Sequence, residues 1–304
     1  MSLPVTSLRA TASGVQSGSR LNELSRDEVS TRWPDLEENR VALALAFDNG
    51  SGSIVLGHEA FDSELFGLKI GRILAARAGS AHEYGVLLAA LEAKAGALEY
   101  DQVLRRAPAD NLTEIWALER AGFELMDVGV TFGRRLTSHD PTVQTAGLIV
   151  RPAAQTDVEE LAREMVQLPW GSRLEADPAY DPVRVRDLRV SWLFNSYHGR
   201  AQAFFVGELD GRPAGYVTCL LREGADHGEI ELVGTLPRFR GRAVASRILA
   251  HAVSWFSTRT ALVTVRTQAT NFAAANLYER AGFTLHSSDL TLRRPLTSRG
   301  RSLQ

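Results

Sequence analysis

The sequence predicts an α/β (α+β) protein of two tandem halves, each a mixed, mostly antiparallel sheet flanked by helices, with the first half degenerate. Three observations carry this. Residues 109–138 laid on 269–298, an offset of 160, share thirteen identities in thirty positions without a gap, where chance pairing gives about two. The second half reads β-α-α-β-β-β-α-β-α. Within it one strand passes through Pro237 and an arginine-rich, glycine-containing loop into an amphipathic helix, and the first half lacks that loop. The divisions expected are a mobile tail at 1–22, a first domain at 23–140 and a second at 147–298.

In order, the first 20 residues are rich in Ser, Thr and Gly and have no apolar signal core, so they read as a tail. Val41–Phe47 is a short apolar strand ending at the turn Asp48-Asn-Gly-Ser-Gly. Residues 85–98 carry Val86, Leu87, Leu88, Leu91 and Leu98 among alanines, a helix by propensity and stripe. Gln102–Arg105 reads as a strand. The repeated block follows, its shared centre Glu-Arg-Ala-Gly-Phe at 119–123 and 279–283. In the second half, Gly147-Leu-Ile-Val-Arg-Pro opens a strand, and Thr156-Asp-Val-Glu159 is a capping-box pattern for a helix to about Gln167. Leu168–Asp181, with two Asp-Pro pairs, is a loop; Val183–Tyr197 is a helix with Val185, Leu188, Trp192 and Leu193 on one side. Gln202–Leu209 and Ala214–Leu221 are strands joined by the hairpin signal Asp210-Gly211. Beyond the loop at 238–243, Ala245, Ile248, Leu249, Ala252 and Phe256 mark a helical stripe.

Composition bounds the function. Apolar content of 44%, charged content of 23% and a net charge of −2 are those of a globular protein without a general nucleic-acid or anionic-membrane footprint. The single Cys219 excludes an internal disulfide and agrees with a reducing, cytoplasmic setting. It sits in an apolar strand, where a small buried side chain is expected rather than a nucleophile. No apolar run approaches the length of a membrane span.

The chemistry concentrates after Pro237. A glycine between strand and helix lets backbone approach a ligand, and first-turn N–H groups have no internal partner. Such a helix start suits an anion. A phosphate held by the N–H groups of Arg240, Gly241, Arg242, Ala243, Val244 and Ala245, with charge from Arg238, Arg240 and Arg242, is one reading; a solvated turn is the other. The run R-x-x-G-x-A at 238–243 resembles the acyl-CoA pyrophosphate loop of the GNAT N-acetyltransferases. Asn271-Phe-Ala-Ala-Ala-Asn276-Leu-Tyr278-Glu-Arg-Ala-Gly282-Phe283 resembles the same family's N-x-x-A-x-x-L-Y-E-x-x-G-F signature, in the right order and at the right distance.

This resemblance implies acetyl-CoA as acyl donor. It also implies a pantetheine arm between two parting strands beside Leu232, Val233 and Thr235, further hydrogen bonds from Asn271 and Asn276, and Tyr278 as proton donor to the leaving thiolate. The other role open to Tyr278 is helix packing. His227, Glu229 and Glu231 alternate on one face of the strand, which is either a solvated edge or, as the resemblance implies, the place of a base: Glu229 first, with His227, Glu231 or a water chain as alternatives. The first copy has Leu118 for Tyr278, Ala78 for Arg238 and Ala81 for Gly241, so it keeps packing residues and lacks the anion loop.

Three further stretches resemble dTDP-fucosamine (dTDP-4-amino-4,6-dideoxygalactose) acetyltransferases: Phe61–Arg72, Arg173–Tyr180 with Trp192, and Gly122–Phe132. They imply acetylation of the amine of a nucleotide-linked sugar, by direct attack in a ternary complex, and a homodimer. Trp170, Tyr180 and Trp192 are candidates to line that pocket, Trp192 being equally a core residue. Phe61 and Leu65 depart from the family's Trp and Phe, and Ala243 stands where many members have glycine; by its residues alone Phe61–Arg72 is a structural turn. Alternative functions are acetylation of a peptide or antibiotic amine, and non-catalytic acyl-CoA binding. The expected partner is a small-molecule amine, with no nucleic acid, no membrane and no metal.

Overall fold

The computed structural model describes residues 20–37, 40–137, 147–166, 172–221, 227–298 and 300. The first half runs β1 (Leu21–Glu23), α1 (Arg26–Arg32), β2 (Val41–Phe47), β3 (Ser53–His58), α2 (Ala60–Phe66), β4 (Ile70–Arg77), α3 (Ala81–Ala97), β5 (Gln102–Pro108), α4 (Leu112–Arg120) and β6 (Glu124–Arg135). The second runs β7 (Ile149–Pro152), α5 (Gln155–Met165), α6 (Arg173–Ala176), then α7 (Pro182–Asn195), which ends in a π turn (Ser196–Arg200). After these come β8 (Ala203–Leu209), β9 (Arg212–Leu221), β10 (His227–Thr235), a 3-10 turn (Pro237–Phe239), α8 (Val244–Ser257), β11 (Leu262–Gln268), α9 (Phe272–Arg280) and β12 (Thr284–Pro295).

These elements form two compact units that do not coincide with the two halves. Unit 1 comprises 1–127, 176–181 and 289–304; unit 2 comprises 128–175 and 182–288. The contiguous domains expected at 23–140 and 147–298 are therefore corrected. β6, which closes the first half of the chain, pairs with β11 of unit 2 over Gly129–Arg135. β12, which closes the second half, pairs with β5 of unit 1 over Asp289–Pro295. The repeat supplies the reason: the two closing strands descend from the same segment, so each fits the other's sheet, as in an exchange between duplicated domains. The tail expected at 1–22 is also too long, because Leu21–Glu23 pairs with β2; residues 1–19 lie outside the described residues.

Unit 1 orders its strands β1-β2-β3-β4-β5-β12, antiparallel except for β4 and β5. Its core buries Leu45, Ile54, Leu56, Leu87, Leu88, Leu91 and Leu118. Phe61–Arg72 is helix, left-handed Gly67 and strand, with Arg72 and Arg40 both on Glu59. The paired register of β4 and β5 ends at Ile73↔Arg105. Just there the Arg105 guanidinium donates to the carbonyls of Ile73 and Leu74, at 3.1 and 3.3 Å. It is anchored by the buried carboxylate of Glu114 at 2.6 Å.

Unit 2 orders its strands β6-β11-β10-β9-β8-β7, antiparallel except for β10 and β11. The hairpin at Asp210-Gly211 takes positive φ at both residues (55° and 73°), as a two-residue turn with the native twist requires. Helix α8 buries Val244, Ile248, Leu249, Ala252, Val253 and Phe256, while Ala245 is only half-buried. It lies close because Gly228 has no side chain, where a Cβ would meet the Phe256 ring at 2.3 Å. Helix α5 starts earlier than the capping-box pattern suggests: Asp157, not Glu159, sits at its third position and accepts from Ala154 N at 2.8 Å. Cys219 is fully buried, which pushes its thiol up and leaves it inert.

Candidate active site

The site is built where β10 leaves β11. The two strands pair in parallel only from His227↔Leu262 to Ile230↔Val265. Beyond that point β10 continues to Thr235 against β9, and β11 continues to Gln268 against β6, so each has one unpaired edge. A bulge between Ile230 and Val233 marks the parting. Leu232 N donates to Thr218 Oγ1 at 3.0 Å, and Leu236 N to Ala214 O at 2.9 Å. The even-numbered residues thus bond on the β9 side, and by strand alternation Val233 and Thr235 turn their N–H and C=O groups to the opened edge. Leu232 is accordingly corrected as an amide donor to a ligand, since its N–H is taken.

The start of α8 follows directly. Gly241 has φ +78° and Ala243, the N-cap, has φ 57° and ψ 21°. The left-handed turn at Ala243, a conformation that glycine adopts more easily, explains the glycine of related loops. No side chain caps α8 and its first turn holds no acid. Its N–H groups, including those of Val244 and Ala245, therefore retain their capacity for an anion.

The arginines divide. Arg238 is bound to Glu164 and Glu160, across α5, and is corrected as an anion ligand because its charge is already matched. Arg242 pairs with Asp210 at 3.0 Å on the surface, an interaction that solvent makes weak. Arg240 is exposed and forms no ion pair among the described residues. Asn271 is the N-cap of α9: its Oδ1 accepts from Ala274 N at 3.2 Å and its Nδ2 donates to Thr267 at 3.1 Å. That engagement corrects Asn271 to a structural cap. Asn276 is exposed on the same helix.

Tyr278 is 3% exposed, its ring tilted against Phe132 and Phe283 at 5.8 and 6.1 Å. Burial pushes its phenol up, so it stays protonated through neutral pH, the form a proton donor must start from. Leu232 and Val233 pack against the same core. On β10, Glu229 pairs in register with Thr264, still inside the closed part. Glu231 lies at the bulge and is held by Arg200, with Arg200 Nε at 2.7 Å. Glu229 and Glu231 both act on Arg200, raising it further, Glu231 through the hydrogen bond first. His227 is half-buried at the start of the strand.

Of the aromatic candidates, Tyr180 is corrected. It is 4% exposed within unit 1, its ring on Phe66 at 4.5 Å and its hydroxyl accepting from Gln102 at 2.7 Å, so no face is open to a sugar. Trp192 is half-buried on α7, and Trp170 lies outside the described residues. Arg200 and Thr218 were not legible as site residues. Nothing in their sequence neighbourhood signals them, and only the fold brings them to β10. No group of residues suited to a metal occurs among the described residues, and no helix among them is long and apolar enough to cross a membrane.

Residues 162–283 match the model of the Acetyltransferase (GNAT) family. The chain is 32% identical over 130 residues to the spore coat polysaccharide biosynthesis protein SpsD of Bacillus subtilis (strain 168), covering 42% of this chain and 43% of that protein. It is 33% identical over 95 residues to the mycothiol acetyltransferase of Streptomyces griseus subsp. griseus, covering 30% of each. The matches thus span less than half the length of these curated relatives. A solved tandem GNAT protein from the clavulanic acid biosynthesis pathway superposes with a TM-score of 0.61 at 11% identity, over 92% of this chain and 99% of that one, a likeness of fold.

Proposed function

We propose that this chain is an acetyl-CoA-dependent N-acetyltransferase of a small-molecule amine, with a nucleotide-linked amino sugar as its acceptor. The observation that carries the reading is the unpaired edge of β10 from the bulge to Thr235, running into an uncapped α8. An extended pantetheine amide arm fits such an edge, and a diphosphate fits the helix start.

The donor's diphosphate rests on the N–H groups from Gly241 to Ala245, with Arg240 adding charge. Val233 N–H, on the opened edge, polarises the thioester carbonyl as charge develops on its oxygen. The neutral amine attacks the carbonyl carbon in a ternary complex, the new C–N bond forms, and the C–S bond breaks. The proton shed by the attacking nitrogen goes to Glu229, directly or through water, because Glu231 is occupied by Arg200. Tyr278 gives its proton to the departing thiolate.

The sugar acceptor is supported by the sequence resemblance of Phe61–Arg72 and Gly122–Phe132, and by similarity to a protein named for polysaccharide biosynthesis. Trp192 and the face of α7 border the acceptor in this reading, which also includes a cytoplasmic homodimer. Thiol release from acetyl-CoA, measured with dTDP-4-amino-4,6-dideoxygalactose, glucosamine, a basic peptide and an aminoglycoside, tests it. Release with the nucleotide sugar is expected. Acetyl-CoA binding without release on any amine would leave a binder, and the transferase reading would fail.

A further inference from the structure

Within unit 2, the Tyr216 hydroxyl and Glu231 Oε2 are buried atoms with no hydrogen-bond partner among the described residues. Tyr216 as a whole is 1% exposed. Neither atom has a part in the proposed transfer. Buried polar groups are nearly always bonded, so these two keep hydrogen-bonding capacity in reserve.

Tyr216 lies on β9 opposite Gly234 of β10. A Cβ on Gly234 would meet Tyr216 Cε1, Cζ and the hydroxyl oxygen at 2.7, 3.1 and 3.2 Å. The tip of the ring therefore crosses β10 at Gly234, between Val233 and Thr235 on the opened edge. Gly215 faces α8, where a Cβ would meet Val244 and Ile248. By alternation Tyr216 faces away from α8, and Thr235, opposite Gly215, faces toward it. The Tyr216 side is that of the π turn after α7: its ring lies 5.8 Å from Phe204, whose ring lies 6.5 Å from Tyr197. Glu231 reaches the same turn, because its Oε1 accepts from Arg200 Nε at 2.7 Å. Thr218, two residues along β9 from Tyr216, is already engaged by Leu232 N.

A phenol can donate one hydrogen bond, and a carboxylate oxygen can only accept. Burial pushes the Tyr216 phenol up, so it keeps its proton at neutral pH. A group that satisfies both must accept from one and donate to the other, as a hydroxyl does. An amine could do so as well, but its lone pair is committed to the attack on the thioester.

We propose that Tyr216 and Glu231 read a hydroxyl of the acceptor next to the reacting amine, Tyr216 donating to it and Glu231 Oε2 accepting from it. Tyr216 is then a specificity-determining residue on the acceptor side of β10. The inference rests on the transferase reading and deepens it. Its test is kcat/KM for dTDP-4-amino-4,6-dideoxygalactose and for its 3-deoxy analogue, in the wild type and in Tyr216→Phe. The wild type is expected to prefer the hydroxylated sugar about tenfold or more, since unpaired polar groups in a site reject an analogue lacking the hydroxyl. Tyr216→Phe is expected to lose about tenfold on the hydroxylated sugar and to stay within about twofold on the analogue, so that the preference collapses. Acetyl-CoA affinity, measured by calorimetry, stays the same. The melting temperature of the free variant does not fall, because no bond within the protein is removed. An equal preference in the two proteins would overturn the assignment. So would a lowered melting temperature with equal losses on both sugars, the behaviour of a hydroxyl that only holds the fold. A ternary-complex crystal structure with water alone between Tyr216 and Glu231 would overturn it too. Absence of thiol release by the wild type with either sugar is a different result: the sugar acceptor itself fails, and this inference with it.

Discussion

Each unit contains one pair of parallel strands that part, and the two partings are filled differently. In unit 1 the gap beyond Ile73↔Arg105 holds the protein's own cation: Arg105 bonds the carbonyls of Ile73 and Leu74 and is locked by Glu114. Asn111 donates to Glu114 as well, at 2.9 Å, and the Tyr84 hydroxyl bonds Ala76 O. In unit 2, at the same offset of 160, Arg105 and Glu114 are replaced by Val265 and Ala274, and the edge stays open. The helix starts differ in the same sense. In α3, Ser80 accepts from Glu83 N, and Glu83 reaches back to Gly79 N at 2.7 Å, so the anion position is met by an internal carboxylate. Helix α8 has neither device. The shared fold provides two partings; the side chains at a few positions fill the one in unit 1 and leave the edge of β10 in unit 2 unpaired.

The comparison can be broken by exchanging these features. The largest effect is expected in unit 1: Arg105→Met strands the buried Glu114 and costs about 3–5 kcal/mol of stability, read by denaturant unfolding. The double variant Arg105→Val with Glu114→Ala, which installs the unit 2 pair, should cost less than the single one, while acetyl-CoA affinity stays unchanged in both. Next is Tyr278→Phe, expected to lower kcat about 100-fold or more with acetyl-CoA binding retained. Equal turnover would return Tyr278 to a packing role. Ser246→Glu places a carboxylate in the first turn of α8, as Glu83 does in α3. It is expected to weaken acetyl-CoA binding about tenfold while strengthening the helix by about 0.3–1 kcal/mol; undiminished uptake in calorimetry would count against the diphosphate position. The smallest effect is Ala243→Gly, where relief of the left-handed backbone is expected to stabilise by up to about 1 kcal/mol, seen as a raised melting temperature.

Much of the fold was legible. Strand alternation, the helix stripe and the hairpin at Asp210-Gly211 are local signals, and the structure has those elements within a few residues. The glycine loop and Tyr278 were readable as residue types at fixed spacing. The partners of the charges were not. Arg238 looks like an anion ligand by sequence, but its carboxylate partner Glu164 lies 74 residues away. Tyr180 looks like a pocket aromatic, but it is buried, and its hydroxyl accepts from Gln102, 78 residues earlier.

By itself the sequence determined that the chain is a duplication, where most strands and helices of the second half fall, and that only the second copy keeps the arginine-rich glycine loop after Pro237. All of these are set by neighbours within a few residues or by comparison of the two copies. Tertiary structure decided which sheet each closing strand joins, which arginines are spent on carboxylates, and which cleft is sealed from within. Two closing strands of common origin carry nearly the same local preferences, so no local signal separates their homes. A charged side chain, likewise, takes whichever opposite charge the fold brings within reach, over separations that spacing along the chain does not encode.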